Sequence, residues 1–206
     1  MSRILTAAVA QMGPVSRDES RVQVVDRLIV MMRHAHARGA GLVVFPELAL
    51  TTFFPRWVLD SQDEIDSFFE TKMPSNDTQT LFDVSRELGI GFHLGYAEKL
   101  TGDDGILHYF NTAILVDQNG VISGKYRKIH LPGHAEPQPN QPHQHLEKRY
   151  FEVGNLGFPA FRSMDGIMGI CICNDRRWPE TYRVLGLQGV EMIMLGYNTP
   201  TTNPFQ

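Results

Sequence analysis

An acid, an amine and a thiol stand at the ends of three apolar runs in this 206-residue chain. The stretch "VVFPE" closes on Glu47, "GKYRKIH" carries Arg127, Lys128 and His130, and "GICICND" delivers Cys173, with Cys171 two residues before it. A thiol is only roughly a few per cent ionised at neutral pH, so a nucleophilic cysteine needs a base or a positive neighbour. A carboxylate can take its proton, and an ammonium can hold the oxyanion that forms after attack, a set suited to acyl transfer. Each residue type also has a plainer use. Glu and Lys mostly sit solvated, and a Cys in an apolar run is usually a small buried hydrophobe. Positions 47, 128 and 173 do chemistry only if the fold brings them together.

The elements that must do so can be read from periodicity. "ILTAAVAQ" (4–11) reads as a buried strand, and 17–39 as a helix with Val25, Leu28, Ile29 and Met32 on one face. "LVVFP" (42–46) is a strand stopped by Pro46. Residues 77–88 form a second amphipathic helix ending at Gly89. Strands follow at 90–98, 109–118 and 121–129, the last two joined across Asn119–Gly120, a hairpin signal. "FPAFRSM" and "IMGICIC" make another hairpin around Asp165–Gly166, then a helix at 178–188 and a strand at 191–198. Buried strands alternating with helices indicate an α/β layered architecture with a mixed sheet, and the chain reads as one domain, 1–206. Between the two halves lies "LPGHAEPQPNQPHQH" (131–145), too rich in Pro and Gln for regular structure: a flexible insert or a loop over a site.

Three segments, "VVFPELALT", "GKYRKIHLPG" and "ICNDRRWPE", resemble the signature segments of the nitrilase-type carbon–nitrogen hydrolase superfamily, in matching order. The resemblance implies a four-layer α-β-β-α sandwich and a Glu-Lys-Cys triad on Glu47, Lys128 and Cys173. "FPELALTTFFPRW", "FNTAILVD", "HLEKRYFEVGNLGFP" and "ICNDRRWPETYRVLGLQG" are most similar to the branch that hydrolyses N-carbamoyl-D-amino acids to the D-amino acid, carbon dioxide and ammonia through a thiol ester. β-Ureidopropionase-like or aliphatic amidase activity is the alternative within the superfamily. The implied partner is a small carbamoyl amino acid, with no metal or organic cofactor and a homo-oligomer, dimer or tetramer, at full length. Such a substrate carries a carboxylate, which planar guanidinium groups bind through paired hydrogen bonds. Arg176 and Arg177, just past Cys173, are candidates for it; as cations at a helix start they oppose the helix dipole, so an anion nearby would relieve them. The resemblance adds His130, His145, Glu147, Asn174, Asn198 and Thr199 as pocket residues, with Glu147 a second carboxylate that orients Lys128. It also implies that the chain lacks the C-terminal third of the sandwich, leaving an inactive fragment or binding module as a further alternative.

Composition narrows the remaining classes. A net charge of -4 gives no basic surface for nucleic acid. The apolar runs fall far short of a bilayer span, and the N-terminus has no convincing cleavage context, so neither a membrane partner nor a signal peptide is expected. Two cysteines form no disulfide framework and point to the reducing cytoplasm. Zinc held by Cys171, Cys173 and the histidines 130, 134, 143 and 145 is the rival from another class, although C-x-C is not the usual structural spacing.

Overall fold

The apolar runs settle into two sheets that share a core. The computed structural model describes residues 3–141 and 144–198. Strands β1 (Ala7–Val9), β2 (Leu42–Val44), β3 (Phe69–Glu70), β4 (Gly91–Thr101), β5 (Leu107–Val116) and β6 (Ile122–Arg127) form one mixed sheet. Its order is β1-β2-β4-β5-β6, with β3 paired to the far end of β4. β1 and β2 run parallel to β4, whereas β4, β5 and β6 make an antiparallel meander. The second sheet holds β7 (Ala160–Ser163), β8 (Gly166–Ile172) and β9 (Met192–Gly196). β7 and β8 are the expected hairpin, and β8 pairs parallel with β9.

Helices cover the outer faces. Helix α1 (Arg21–Ala37) starts at Ser20 in a reciprocal cap with Gln23, which satisfies two backbone donors that the helix itself cannot pair. Its Val25, Leu28 and Met32 meet Leu81, Phe82 and Val84 of α3 (Gln79–Leu88) over Phe92, Leu94 and Tyr96 of β4. The other face of the same sheet presents Leu42, Ala113, Leu115 and Tyr126 to Met168, Ile170, Ile172 and Met194 of the second sheet. Helix α5 (Pro179–Leu187) closes the stack, with Leu185 against Gly169. Full burial of each such aliphatic or aromatic side chain contributes roughly 1.5–3 kcal/mol, so the interleaved layers dominate the stability. The resulting order is helix, sheet, sheet, helix.

The elements differ from the periodicity reading at their ends and in one aromatic stretch. The strand expected at 4–11 contracts to Ala7–Val9, an edge whose Val9 is exposed, and that at 191–198 contracts to Met192–Gly196. The strands divide into the two sheets of the α-β-β-α sandwich, a division that periodicity alone did not give, and the segment between β6 and β7 carries the chain from one layer to the other. A short 3₁₀ turn at Phe54–Arg56, helix α2 (Gln62–Ser67) and β3 have no periodic signal in the sequence. They are fixed by distant partners: Phe54 stacks on Phe68 with centroids 4.8 Å apart and meets Tyr150 and Phe151 edgewise or tilted. Tyr150 belongs to a further short helix, α4 (Glu147–Tyr150). Its hydroxyl donates to Trp57 O at 2.7 Å and accepts from Leu59 N at 2.9 Å.

One close approach sets where β2 ends. Beyond Val44 the chain lies so near β4 that a Cβ on Gly95 would fall 2.7 Å from Pro46 O and 2.8 Å from Glu47 Cα. These are backbone atoms and cannot swing aside. Gly95→Ala is therefore expected to destabilise the fold by about 1–3 kcal/mol and to displace Glu47, measured by urea denaturation.

Candidate active site

The three strand ends singled out in the sequence converge. Glu47 lies three residues past β2 and is followed by Leu48, whose φ is +49°. Lys128 directly follows β6, its backbone N–H donating to Asn111 O at 2.8 Å and its carbonyl accepting from Gly154 N at 2.9 Å. Cys173 opens a 3₁₀ turn (Cys173–Arg177) at the end of β8, with φ at +45°. A left-handed conformation costs a residue with a Cβ about 1–2 kcal/mol, and such strain persists only where surrounding structure enforces it. Here it turns the chain sharply at two strand ends, one beside the carboxylate and one at the thiol.

The polar atoms form a closed network. The Lys128 Nζ donates to Glu47 Oε1 at 2.6 Å and to Glu147 Oε2 at 2.6 Å, and all three side chains are wholly buried. Asn111 Nδ2 donates to Glu47 Oε1 at 2.9 Å and reaches Glu147 Oε2 at 3.4 Å. Glu47 Oε2 accepts from Asn198 N at 3.2 Å, and His145 Nε2 lies 3.3 Å from Glu147 Oε1. Glu147 arrives here from the far end of the 131–145 segment. That segment is clasped at its base: His134 N donates to His145 O at 2.8 Å, and Gly133 packs so tightly that a Cβ would lie 2.0 Å from the same oxygen. Of the two readings of this loop, its base belongs to the site.

Electrostatics separates the two carboxylates. Burial pushes Glu47 above the usual carboxylate range, opposed by Lys128 and reinforced by the charge on Glu147. Glu147 is just as buried, yet Lys128 and His145 together outweigh that and hold it low. Burial also works against the Lys128 ammonium, but the two carboxylates overcome it and keep the amine charged. Burial pushes the Cys173 thiol up to about 12, with Glu47 adding to the rise and Lys128 and Arg176 opposing it. The thiol is thus protonated at neutral pH and needs a base. The two buried carboxylates are thus pushed apart, Glu47 upward and Glu147 downward.

Asp175 fixes the thiol relative to the amine. Its Oδ1 accepts from His130 N at 3.0 Å and lies 2.8 Å from His130 Nδ1, while Oδ2 accepts from the Tyr126 hydroxyl at 2.8 Å and Ile172 N at 3.0 Å. One buried carboxylate therefore ties the end of β6 to the end of β8. His130 stacks on Trp178 with centroids 4.9 Å apart, and Asn174 Nδ2 donates to His130 O at 3.0 Å. Arg176 Nη1 donates to Cys173 O at 2.8 Å and lies 3.6 Å from its Sγ. Its guanidinium also sits 5.1 Å from the centre of the Tyr197 ring. Arg177, by contrast, is exposed and has no side-chain hydrogen bond among the described residues. Thr199 lies outside the described residues, as does His143. Cys171 is completely buried within β8, its thiol also pushed up to about 12 by burial. Among the described residues no three His, Cys, Asp or Glu side chains converge as metal ligands.

Sequence reasoning missed three residues. Asn111 and Asp175 were legible in principle, since a polar residue inside a buried run must have partners there. Arg56 gave no signal. It is half-buried on the turn tied to Leu146, its guanidinium 5.6 Å from the Phe53 ring centre, and burial lowers its pKa against the opposing carboxylates Glu147 and Glu47.

The sequence pattern of the Carbon-nitrogen hydrolase family matches residues 6–205, and the chain belongs to that family. It is 34% identical over 192 residues to a nitrilase of Pyrococcus abyssi, covering 92% of this chain and 63% of that protein. It is 28% identical over 195 residues to an N-carbamoylputrescine amidase of Solanum lycopersicum, covering 93% and 58%. The chain thus spans about six-tenths of the length of these relatives. The fold superposes on a carbon-nitrogen hydrolase from Helicobacter pylori with a TM-score of 0.74 at 23% identity, covering 94% of this chain and 59% of that one. The four-layer arrangement is that of the family. No helix among the described residues is long and apolar enough to cross a membrane.

Asp175→Asn puts an N–H where donors already point, so it is expected to cost about 2–4 kcal/mol, read by urea denaturation. Asp175→Glu, which keeps the charge but not the reach, is expected to recover only part of the loss.

Proposed function

We propose that the protein hydrolyses the carbon–nitrogen bond of N-carbamoyl amino acids, with Cys173 as nucleophile. The observation that carries the reading is the buried Glu47–Lys128–Glu147 trio beside a thiol held on a strained turn. The Cys173 sulfur attacks the ureido carbonyl carbon as its proton passes to Glu47. Lys128 supplies the positive charge that stabilises the oxyanion; loss of one such donor typically costs on the order of 10²–10³ in rate. The tetrahedral adduct collapses with cleavage of the C–N bond, the leaving nitrogen taking the proton from Glu47. Water, giving a proton to Glu47, then adds to the thiol ester, and the C–S bond breaks with return of that proton to sulfur. Carbamic acid formed in this way decomposes to carbon dioxide and ammonia. Glu147 and His145 hold Lys128 throughout.

Arg176 supports an anionic substituent on the substrate, since it places a guanidinium within 3.6 Å of the nucleophile. The N-carbamoylputrescine amidase relative supports a carbamoylated nitrogen as the group attacked. A cationic tail is disfavoured next to Arg176 and the half-buried Arg56. The D-configuration rests on the segments that resemble the D-carbamoylase branch, as does a homo-oligomeric state. The cytoplasm is the compartment that suits two free thiols.

Ammonia release across matched carbamoyl-D-amino acids, carbamoyl-L-amino acids, carbamoylated diamines and nitriles tests the reading. Turnover of the D-forms alone is expected, and equal turnover of both enantiomers removes the D-specific part. Cys173→Ala is expected to abolish turnover, while Cys171→Ala keeps most of it. Turnover that persists in Cys173→Ala would sink the nucleophile assignment.

A further inference from the structure

Asn111 sits in β5 within the run "YFNTAILV", wholly buried among apolar neighbours. Three contacts mark it out. Its side-chain Nδ2 reaches both Glu47 and Glu147, at 2.9 and 3.4 Å, and its backbone carbonyl receives the Lys128 N–H at 2.8 Å. One residue therefore touches all three members of the ion trio. Its side-chain Oδ1 is buried and has no hydrogen-bond partner among the described residues. An unpaired buried carbonyl is costly, and rotating the amide to relieve it would aim that oxygen at two carboxylates. The carboxylates dictate the amide's orientation, at the expense of its own satisfaction.

We infer that Asn111 is a positioning residue that keeps Glu47 in its ionised, proton-accepting form beside Glu147. This rests on the reading above, in which Glu47 takes the Cys173 proton. The groups facing Glu47 are Lys128 after β6, Glu147 from α4, the Asn198 N–H after β9 and Cys173 after β8, with Arg56, His145 and Arg176 further out. Lys128 is shared equally between the carboxylates and so does not favour one over the other. Glu147 has His145 as a further partner and only the longer 3.4 Å contact with Asn111; among the described residues the further side-chain partner of Glu47 is Asn111, at 2.9 Å. Donation to the charged form lowers a carboxylic acid's pKa. Without Asn111, burial and Glu147 drive Glu47 further up, and the base is available only at higher pH.

The test is the pH dependence of Cys173 alkylation by iodoacetamide in the 206-residue chain carrying Cys171→Ala. It needs no substrate, and its acid limb reads the ionisation of Glu47. Asn111→Leu and the isosteric Asn111→Asp are each expected to move that limb up by about one pH unit, slowing alkylation roughly fivefold at the original midpoint and about tenfold well below it. Folding is checked by circular dichroism, and Asn111→Asp carries the test if the leucine variant fails to fold. Glu47→Gln should erase the limb. A limb that survives in Glu47→Gln overturns the base assignment itself. A limb erased by Glu47→Gln but unmoved in the folded Asn111 variants, even with a lowered melting temperature, overturns the positioning role alone.

Discussion

An ammonium buried among side chains survives only with negative charge at hand, and the organisation of this site follows from that requirement at Lys128. Two carboxylates 2.6 Å away, from different parts of the chain, satisfy it. Removing one partner from a buried ion pair is generally worth about 3–5 kcal/mol, because the remaining charge is left stranded. The trio therefore also has a structural part. It fixes the end of β2, the end of β6 and the start of α4 against one another. The same low dielectric that makes the arrangement demanding makes each charge effective, since water is not there to screen it.

Around this centre the backbone is tightly constrained. Leu48 and Cys173 both have positive φ, Leu48 four residues past β2 and Cys173 directly after β8. Asp175 spends all its accepting capacity on joining the β6 and β8 ends, and Gly95 lets the chain carrying Glu47 lie directly on β4. Thiol, acid and amine come from segments 126 residues apart at the extremes, from Glu47 to Cys173. Their relative placement is set by sheet edges and buried hydrogen bonds, the rigid kind of support that reacting groups need.

The strand ends were legible because the apolar runs stop abruptly on reactive residues, and the helices because their apolar faces recur with helical period and end at glycine. The division into two sheets was not in the periodicity: nothing in "FPAFRSM" or "IMGICIC" says which sheet they join. The aromatic stretch around Phe54 was equally silent, since its turn is held by Phe68, Tyr150 and Phe151, which lie far along the chain or beyond an intervening helix. For the site, Glu147 lies in the charged run "EKRY", which reads as a solvated turn in isolation. Only the tertiary contact with Lys128 identifies it as a buried partner. Arg177 shows the converse. Its position next to Arg176 suggested a pair, yet only Arg176 bends back to the thiol.

The clasp between His134 and His145 has a consequence for how the chain can vary. Because the base of the 131–145 segment is closed by its own hydrogen bond, the length of chain between those two points is decoupled from the position of Glu147. Lengthening a loop with fixed ends costs little, about 0.6 kcal/mol per doubling. Insertions or deletions there should leave the trio in register, whereas a single residue gained or lost between His145 and Glu147 would shift the second carboxylate off its ammonium. The proline- and glutamine-rich stretch is thus a site where segments of other origin could be spliced in, an exchangeable module on a fixed frame.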